Sequence, residues 1–342
     1  MKRTVSTLAL TSAIACLGLP LVATQACAQD TVTVYGRVVS SLNEVNTGGT
    51  STVREQRDNA SRLGFRGRED LGGGASAFFG LEFGFSMNTG DLGVPAFRNS
   101  FVGLDGAWGS LALGRLDSAN PTGSPLYSQI TDITHFAPND AGATATSTSM
   151  QNARNRTSNS IGYASPIWSG FRVRARHYQR GADTVANPID SAKSTDLGFD
   201  YKQDNLKVAV GFAKDTRRGG LAANEFDSKW QVGLNYAVMP GLELYGLAGS
   251  DKYNNTAVSR GDVKYSVLGA AYTFGVHKIV FNHLERDVQN SLKGNRVRQQ
   301  LSYQYFLSKR TDLQAFIDQD GIDSSRSNVR VKAIGVGVRH NF

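Results

Sequence analysis

The sequence predicts an all-β fold: a 16-stranded antiparallel transmembrane β-barrel with a long third external loop folded inward. Three observations predict it. From Thr31 to Phe342, segments of about ten residues alternate apolar side chains with polar or small ones. Short turns and longer loops follow one another between those segments. After Asp30 no stretch approaches 18 consecutive apolar residues. A chain without a spanning helix can satisfy its backbone in lipid only by closing a sheet on itself.

The first 28 residues stand apart. Met1-Lys2-Arg3 is a basic start, the next charge is Asp30, and the interval is apolar up to Ala26-Cys27-Ala28. That pattern predicts a secretory signal peptide, residues 1–28, cut after Ala28. Cys16 and Cys27 would leave with it, so disulfides, thiolate metal sites and cysteine nucleophiles are excluded from the mature chain. Lys2 and Arg3 would leave too, taking the formal net charge from +8 to +6. An exported basic chain points to anionic partners. The scatter of its charges and its compartment argue against nucleic acid.

The barrel domain is expected over 29–342. Thr31–Asn43 places Val32, Val34, Gly36 and Val38 on one parity against Thr33, Tyr35, Arg37 and Val39. Glu44–Ala60 reads as a polar loop. Ser61–Glu69 and Ala75–Ser86 flank the tight turn at Gly72-Gly73-Gly74, the second carrying Ala77, Phe79, Leu81, Phe83 and Phe85 on one face. Ala96–Asp105 and Ser110–Leu116 form the next hairpin. Beyond residue 155 come Arg156–Ala164, Gly170–Gln179, Thr195–Lys202, Leu206–Lys214, Ser228–Ala237, Leu242–Ser250, Val263–Tyr272, His277–Arg286, Arg296–Phe306, Thr311–Gln319 and Val329–Phe342. Trp108 and Trp168 sit in short turns, where an aromatic girdle would lie. The alternating apolar residues that run up to Phe342 resemble an outer-membrane assembly signal.

One interval breaks the rhythm. Residues 117–155 hold three prolines, Pro121, Pro125 and Pro138, and a Gly/Ala/Thr/Ser-rich tail. A loop of that length inside a compact domain is functional or disordered. Here it is expected to enter the barrel and set the width of a pore.

Several stretches then carry a resemblance. They are Val34-Tyr35-Gly36, Ser61 to Gly67 leading into Glu69 to Gly74, Arg98 to Leu104, Leu113-Gly114-Arg115, Asn159 to Tyr163, and Tyr303 to Thr311. In order across the chain, they resemble the general porins of Gram-negative outer membranes, specifically the trimeric beta-proteobacterial type. The resemblance implies passive diffusion of small hydrophilic solutes and three barrels per assembly. It also implies contact with outer-membrane lipid and lipopolysaccharide, and no cofactor, metal or enzymatic activity. The family places a basic ladder at Arg62, Arg98 and Arg156 by motif position. The Pro-Glu-Phe-Gly-Gly tip of enteric porins is missing from 117–155.

Parity assigns the lumen. An arginine facing lipid at the midplane costs roughly 2–4 kcal/mol, so Arg37, Arg62, Arg66, Arg98, Arg156, Arg172, Arg174 and Arg176 should face inward, opposite apolar neighbours. Arg37, Arg62, Arg66, Arg98, Arg156 and Arg174 are expected to form the basic wall of a constriction. Asp117 and Asp132 on the loop and Glu82 on the wall should supply the counter-charge, with Asp140 a further candidate. One charge about 6 Å from a passing ion is worth roughly 0.7 kcal/mol at bulk-water dielectric and about 3 at an effective value near 20. The expected function is therefore an anion-preferring general diffusion pore. Arg115 shares the parity of Leu111 and Leu113 and points outward, unless Gly114 carries a bulge. In that sector it could meet a neighbouring subunit.

The alternative is a substrate-specific channel, marked by an aromatic track. Tyr35, Phe78, Tyr178 and Phe316 have inward parity but scatter over different strands, which ranks this reading lower. His135, His177, His277, His283 and His340 form no HExxH or similar pair. No P-loop, G-x-S-x-G or dinucleotide fingerprint follows a strand.

Overall fold

The computed structural model describes residues 31–46, 48, 52–126, 156–179, 193–216, 221, 226–253, 262–289, 294–324 and 328–342. Among them all regular structure is strand: β1 (Thr31–Asn46), β2 (Thr52–Asp58), β3 (Arg62–Gly72), β4 (Ala75–Phe85), β5 (Leu92–Gly106), β6 (Gly109–Asp117), β7 (Arg156–Ala164), β8 (Phe171–Gln179), β9 (Lys193–Gln203), β10 (Leu206–Thr216), β11 (Phe226–Met239), β12 (Leu242–Tyr253), β13 (Asp262–Phe274), β14 (His277–Gln289), β15 (Gly294–Phe306), β16 (Thr311–Ser324) and β17 (Asn328–Asn341).

The expected polar loop at Glu44–Ala60 is a correction. β1 runs on to Asn46 and pairs with β2 from Ser40↔Asp58 to Asn46↔Thr52, while its first half pairs with β3 from Thr31↔Arg68 to Arg37↔Arg62. β2 and β3 therefore share one stave, which reconciles seventeen strands with a 16-stranded barrel. Charge hid this strand from an apolar-alternation reading. Its register is held by cross-strand polar pairs, Arg54 to Glu44 at 2.9 Å and Gln56 to Ser40 at 3.0 Å. The stave breaks at residues 59–61, where Ala60 has positive φ and the Ser61 hydroxyl accepts from the Val39 N–H at 3.0 Å.

Every other ladder joins chain neighbours in antiparallel register, and β17 returns to β1 from Asn46↔Lys332 to Arg37↔Asn341. Gly36 and Phe342 exchange both backbone hydrogen bonds at 3.0 Å, completing that seam. Closure leaves no free sheet edge in lipid.

The two faces separate as period two demands. On β11, Trp230 is 47 % exposed while the adjacent Gln231 is 2 % exposed. Val232 and Leu234 continue the outer face; Lys229 and Asn235 continue the inner one. The outer surface of the barrel is thus oily and its inner wall polar, the inverse of a soluble sandwich. Trp108 lies on the outside, stacked on Tyr163 at 6.4 Å, and accepts the Tyr163 hydroxyl on its carbonyl at 2.7 Å.

Inward-pointing aromatics follow a common rule. Tyr35 covers Gly64, Phe78 covers Gly103, Phe101 covers Gly80, Tyr245 covers Gly269, Tyr265 covers Gly249 and Phe316 covers Gly335. In each pair the glycine lies on the neighbouring strand, and a Cβ there would overlap the ring. The absent side chain lets the ring lie along the wall instead of projecting into the bore, as aromatic rescue of strand glycines does.

Candidate functional site: the arginine wall of the lumen

The register brings the basic residues of β1, β3 and β5 onto adjacent staves. Arg37 is opposite Arg62, Arg62 opposite Gly84, and Arg98 lies at the bulge where β5 slips against Glu82 and Phe83. Glu82, 6 % exposed on β4, sits among them. Its carboxylate accepts from Arg98 Nε at 2.7 Å and from the Tyr35 hydroxyl at 3.3 Å, and lies 3.7 Å from Arg62 Nε. Arg37 donates to the Ala60 carbonyl at 3.4 Å, and its buried Nε has no hydrogen-bond partner among the described residues. Arg66 is exposed and lies over the Tyr35 ring, 5.2 Å from the centroid. Glu82 thus sits beside two of the four guanidinium groups, those of Arg62 and Arg98.

Arg339 on β17 extends the wall across the seam, paired with Asp312 at 2.8 Å. It shares the inward parity of the buried Val331 and Ala333, in the terminal strand whose apolar alternation resembles an assembly signal. Farther round, Arg296 pairs with Asp320 and Arg298 with Asp318, all four buried. Those pairs neutralise themselves; the cluster on β1, β3 and β5 gathers four guanidinium groups around Glu82 among the described residues.

Asp117 was expected on the loop. It is instead the last residue of β6, buried, and bonded to Arg156 at 2.9 Å across the β6–β7 ladder. A register shift between Gly114 and Leu116 puts both Leu116 and Asp117 in buried positions. The extra residues of that shift, Ser158 and Asn159, lie on β7, and against β5 the register runs unbroken from Leu113↔Val102 to Arg115↔Ser100, so Arg115 keeps the outward parity of Leu113. Arg115 bonds to the Phe97 carbonyl at 3.0 Å and the Ser158 hydroxyl at 2.8 Å.

Arg174 also differs from expectation. It points inward but does not stand free in the bore. Its guanidinium donates to the carbonyls of Ser118, Asn120, Pro121, Gly123 and Ser124, between 2.8 and 3.2 Å. Next to it Arg176, fully buried, binds Asp196 at 2.5 Å, and Asp196 accepts from the Ser124 hydroxyl at 2.5 Å. The start of the long connection is therefore seated on the inner wall. Three glycines make room for it: Gly162 under the Thr122 carbonyl, Gly198 under Pro125 and Gly211 under Leu126. Asp132, His135 and Asp140 lie outside the described residues.

A closed barrel with an oily exterior and a charged interior defines a transmembrane channel, not a soluble binding protein. The Gram-negative porin model matches residues 9–325, and the chain belongs to that family. It is an outer-membrane porin, a channel for passive diffusion. Among its relatives, outer membrane porin protein 32 of Delftia acidovorans is 28 % identical, over 93 % of this chain and 95 % of that protein. The major outer membrane protein P.IB of Neisseria sicca is 25 % identical over 95 % of this chain and 99 % of that one. Among solved structures, the anion-selective porin from Comamonas acidovorans superposes with a TM-score of 0.72 at 23 % identity, covering 92 % of this chain and all of that one. The trimer form of OmpT from Vibrio cholerae gives 0.66 at 13 % identity, covering 92 % and 99 %.

Proposed function

We propose that the channel prefers anions, that three copies assemble, and that residues 117–155 narrow the bore. The carrying observation is the gathering of guanidinium groups on one sector of the wall: Arg37, Arg62, Arg66 and Arg98 on neighbouring staves, with Glu82 beside Arg62 and Arg98. Two or three such charges at roughly 0.7 kcal/mol or more each bias chloride over potassium by about tenfold or more. Screening over about 8 Å at physiological salt leaves that bias intact across a narrow gap.

The seating of residues 118–126 against β7 to β10 supports an inward course for the loop. Arg156 with Asp117 would stand at its root, and Asp132 is the candidate acid on its far side. Assembly in threes is supported by the trimer form of the OmpT relative in structure. The outward parity of Arg115 supports it too, since arginine facing lipid in the spanning band is costly and facing a neighbouring subunit is not.

The test is a reversal potential across a planar bilayer in a potassium chloride gradient. Arg98→Glu should move it toward cations, and more at 0.1 M than at 1 M salt. An unchanged potential removes Arg98 from the selectivity site.

A further inference from the structure

Two of the inward aromatics that scatter in the sequence, Tyr35 and Phe78, meet in the barrel, joined by Phe101. Tyr35 of β1, Phe78 of β4 and Phe101 of β5 lie toward the short β3–β4 and β5–β6 turns from Arg37 and Arg62, on contiguous staves around Arg66 of β3. The cross-strand register runs Arg66↔Gly80↔Phe101, so the bare glycine lies between the guanidinium and the ring. Phe101 leans over that glycine, and Phe78 meets it edge-on at 6.0 Å and 66°. On the other side Arg66 stacks on Tyr35.

Two features separate this patch from the rest of the inner wall. Its rings remain half-exposed, whereas Tyr245, Tyr265 and Phe316 are buried. Arg66 has no carboxylate partner among the described residues, whereas Arg62 and Arg98 share Glu82, and the next basic residue, Arg68, is held by Asp105 at 2.6 Å. An open cation beside an exposed aromatic edge and face is complementary to one kind of solute: a planar ring bearing a carboxylate.

We propose that Arg66, Phe101 and Phe78 form a lumenal subsite for aromatic carboxylates of about benzoate size. The carboxylate takes a fork-shaped pair of hydrogen bonds from Arg66, and the ring packs on Phe101 with the edge of Phe78 beside it. Tyr35 is a positioning residue that holds the guanidinium plane from behind. The subsite rests on the reading of the bore as an anion path. It adds to that reading a preference among anions that charge alone would not produce.

The experiment is transient block of the single-channel chloride current by benzoate, set against cyclohexanecarboxylate, which has equal charge and similar bulk but no π-face. Wild type should show a benzoate block about three- to tenfold stronger than the cyclohexane analogue, the range expected of one aromatic contact. Phe101→Leu should bring the two solutes level, and Arg66→Gln should weaken both. Phe78→Leu tests the same point should Phe101→Leu not insert. Phe316→Leu, on a distant stave, should keep the wild-type ratio. Equal block by both solutes in wild type, or a ratio unmoved in both leucine variants at the patch, overturns the subsite. The wild-type reversal potential in potassium chloride is a separate reading: a cation-leaning value would sink the anion path whatever benzoate does.

Discussion

Glu82→Gln isolates one charge in the selectivity site while keeping its shape. In the wild type a passing anion meets Arg62 and Arg98 partly cancelled by the carboxylate 3.7 and 2.7 Å from their Nε atoms. The amide oxygen can still accept from Arg98, and the amide nitrogen in the other position can donate to the Tyr35 oxygen, so the wall should remain built. What changes is one unit of negative charge about 6 Å from the ion path, roughly 0.7 kcal/mol at bulk-water dielectric. That favours the anion about threefold and disfavours the cation by the same factor, so the anion-to-cation permeability ratio rises about tenfold, and further if the local dielectric is lower. The assay is a zero-current potential in a potassium chloride gradient, repeated at low and high salt. At about 1 M the screening length falls to roughly 3 Å, and the shift should shrink accordingly. A shift toward cations, or one indifferent to salt, would refute the assignment of these residues to the ion path.

Other outcomes follow from the same geometry. Arg174→Ala strips the donor from five loop carbonyls. At about 1–3 kcal/mol for each group left buried and unmade, the variant should give noisier open-channel current and a lower midpoint of heat unfolding in detergent. Gly162→Val places side-chain atoms on the Thr122 carbonyl; the seat of residues 118–126 should be lost, read as altered conductance in a barrel whose strand content by circular dichroism is unchanged. Val102→Arg, on the outer face of β5, should reduce stability by about 2–4 kcal/mol if it faces lipid. Arg115→Ala should lower the temperature at which oligomers dissociate on semi-native gels while leaving the reversal potential in place.

Strand alternation made most of the architecture readable before any coordinates. A one-residue error of register would turn every apolar side chain inward, so parity sorts Arg37, Arg62 and Arg66 to the polar face; Arg98 reaches it through the slip of β5 against Glu82 and Phe83, and Phe101, which parity sets opposite Arg98, faces inward too. Parity failed where local geometry departs from period two. The β2 segment was missed because its pairing rests on Glu44, Arg54 and Gln56, which look like loop residues. Asp117 falls to the loop in a count of alternating positions because the extra residues Ser158 and Asn159, which let β7 pair on to Asp117↔Arg156, are invisible to that count. Arg174 was correctly turned inward, but its five carbonyl partners depend on how the chain folds after Asp117. The meeting of Tyr35, Phe78 and Phe101 required knowing that β1, β3, β4 and β5 are contiguous, and that glycines beside the rings leave them room.

The reciprocal bonds between Gly36 and Phe342 join positions about as far apart in the chain as this fold allows. Until they form, the molecule is an open sheet with two raw margins, each able to recruit a strand from another chain. Contacts so distant along the polymer are slow to find. Completion of the cylinder is therefore a late event, and whatever escorts the nascent sheet must shield both margins until they zip together.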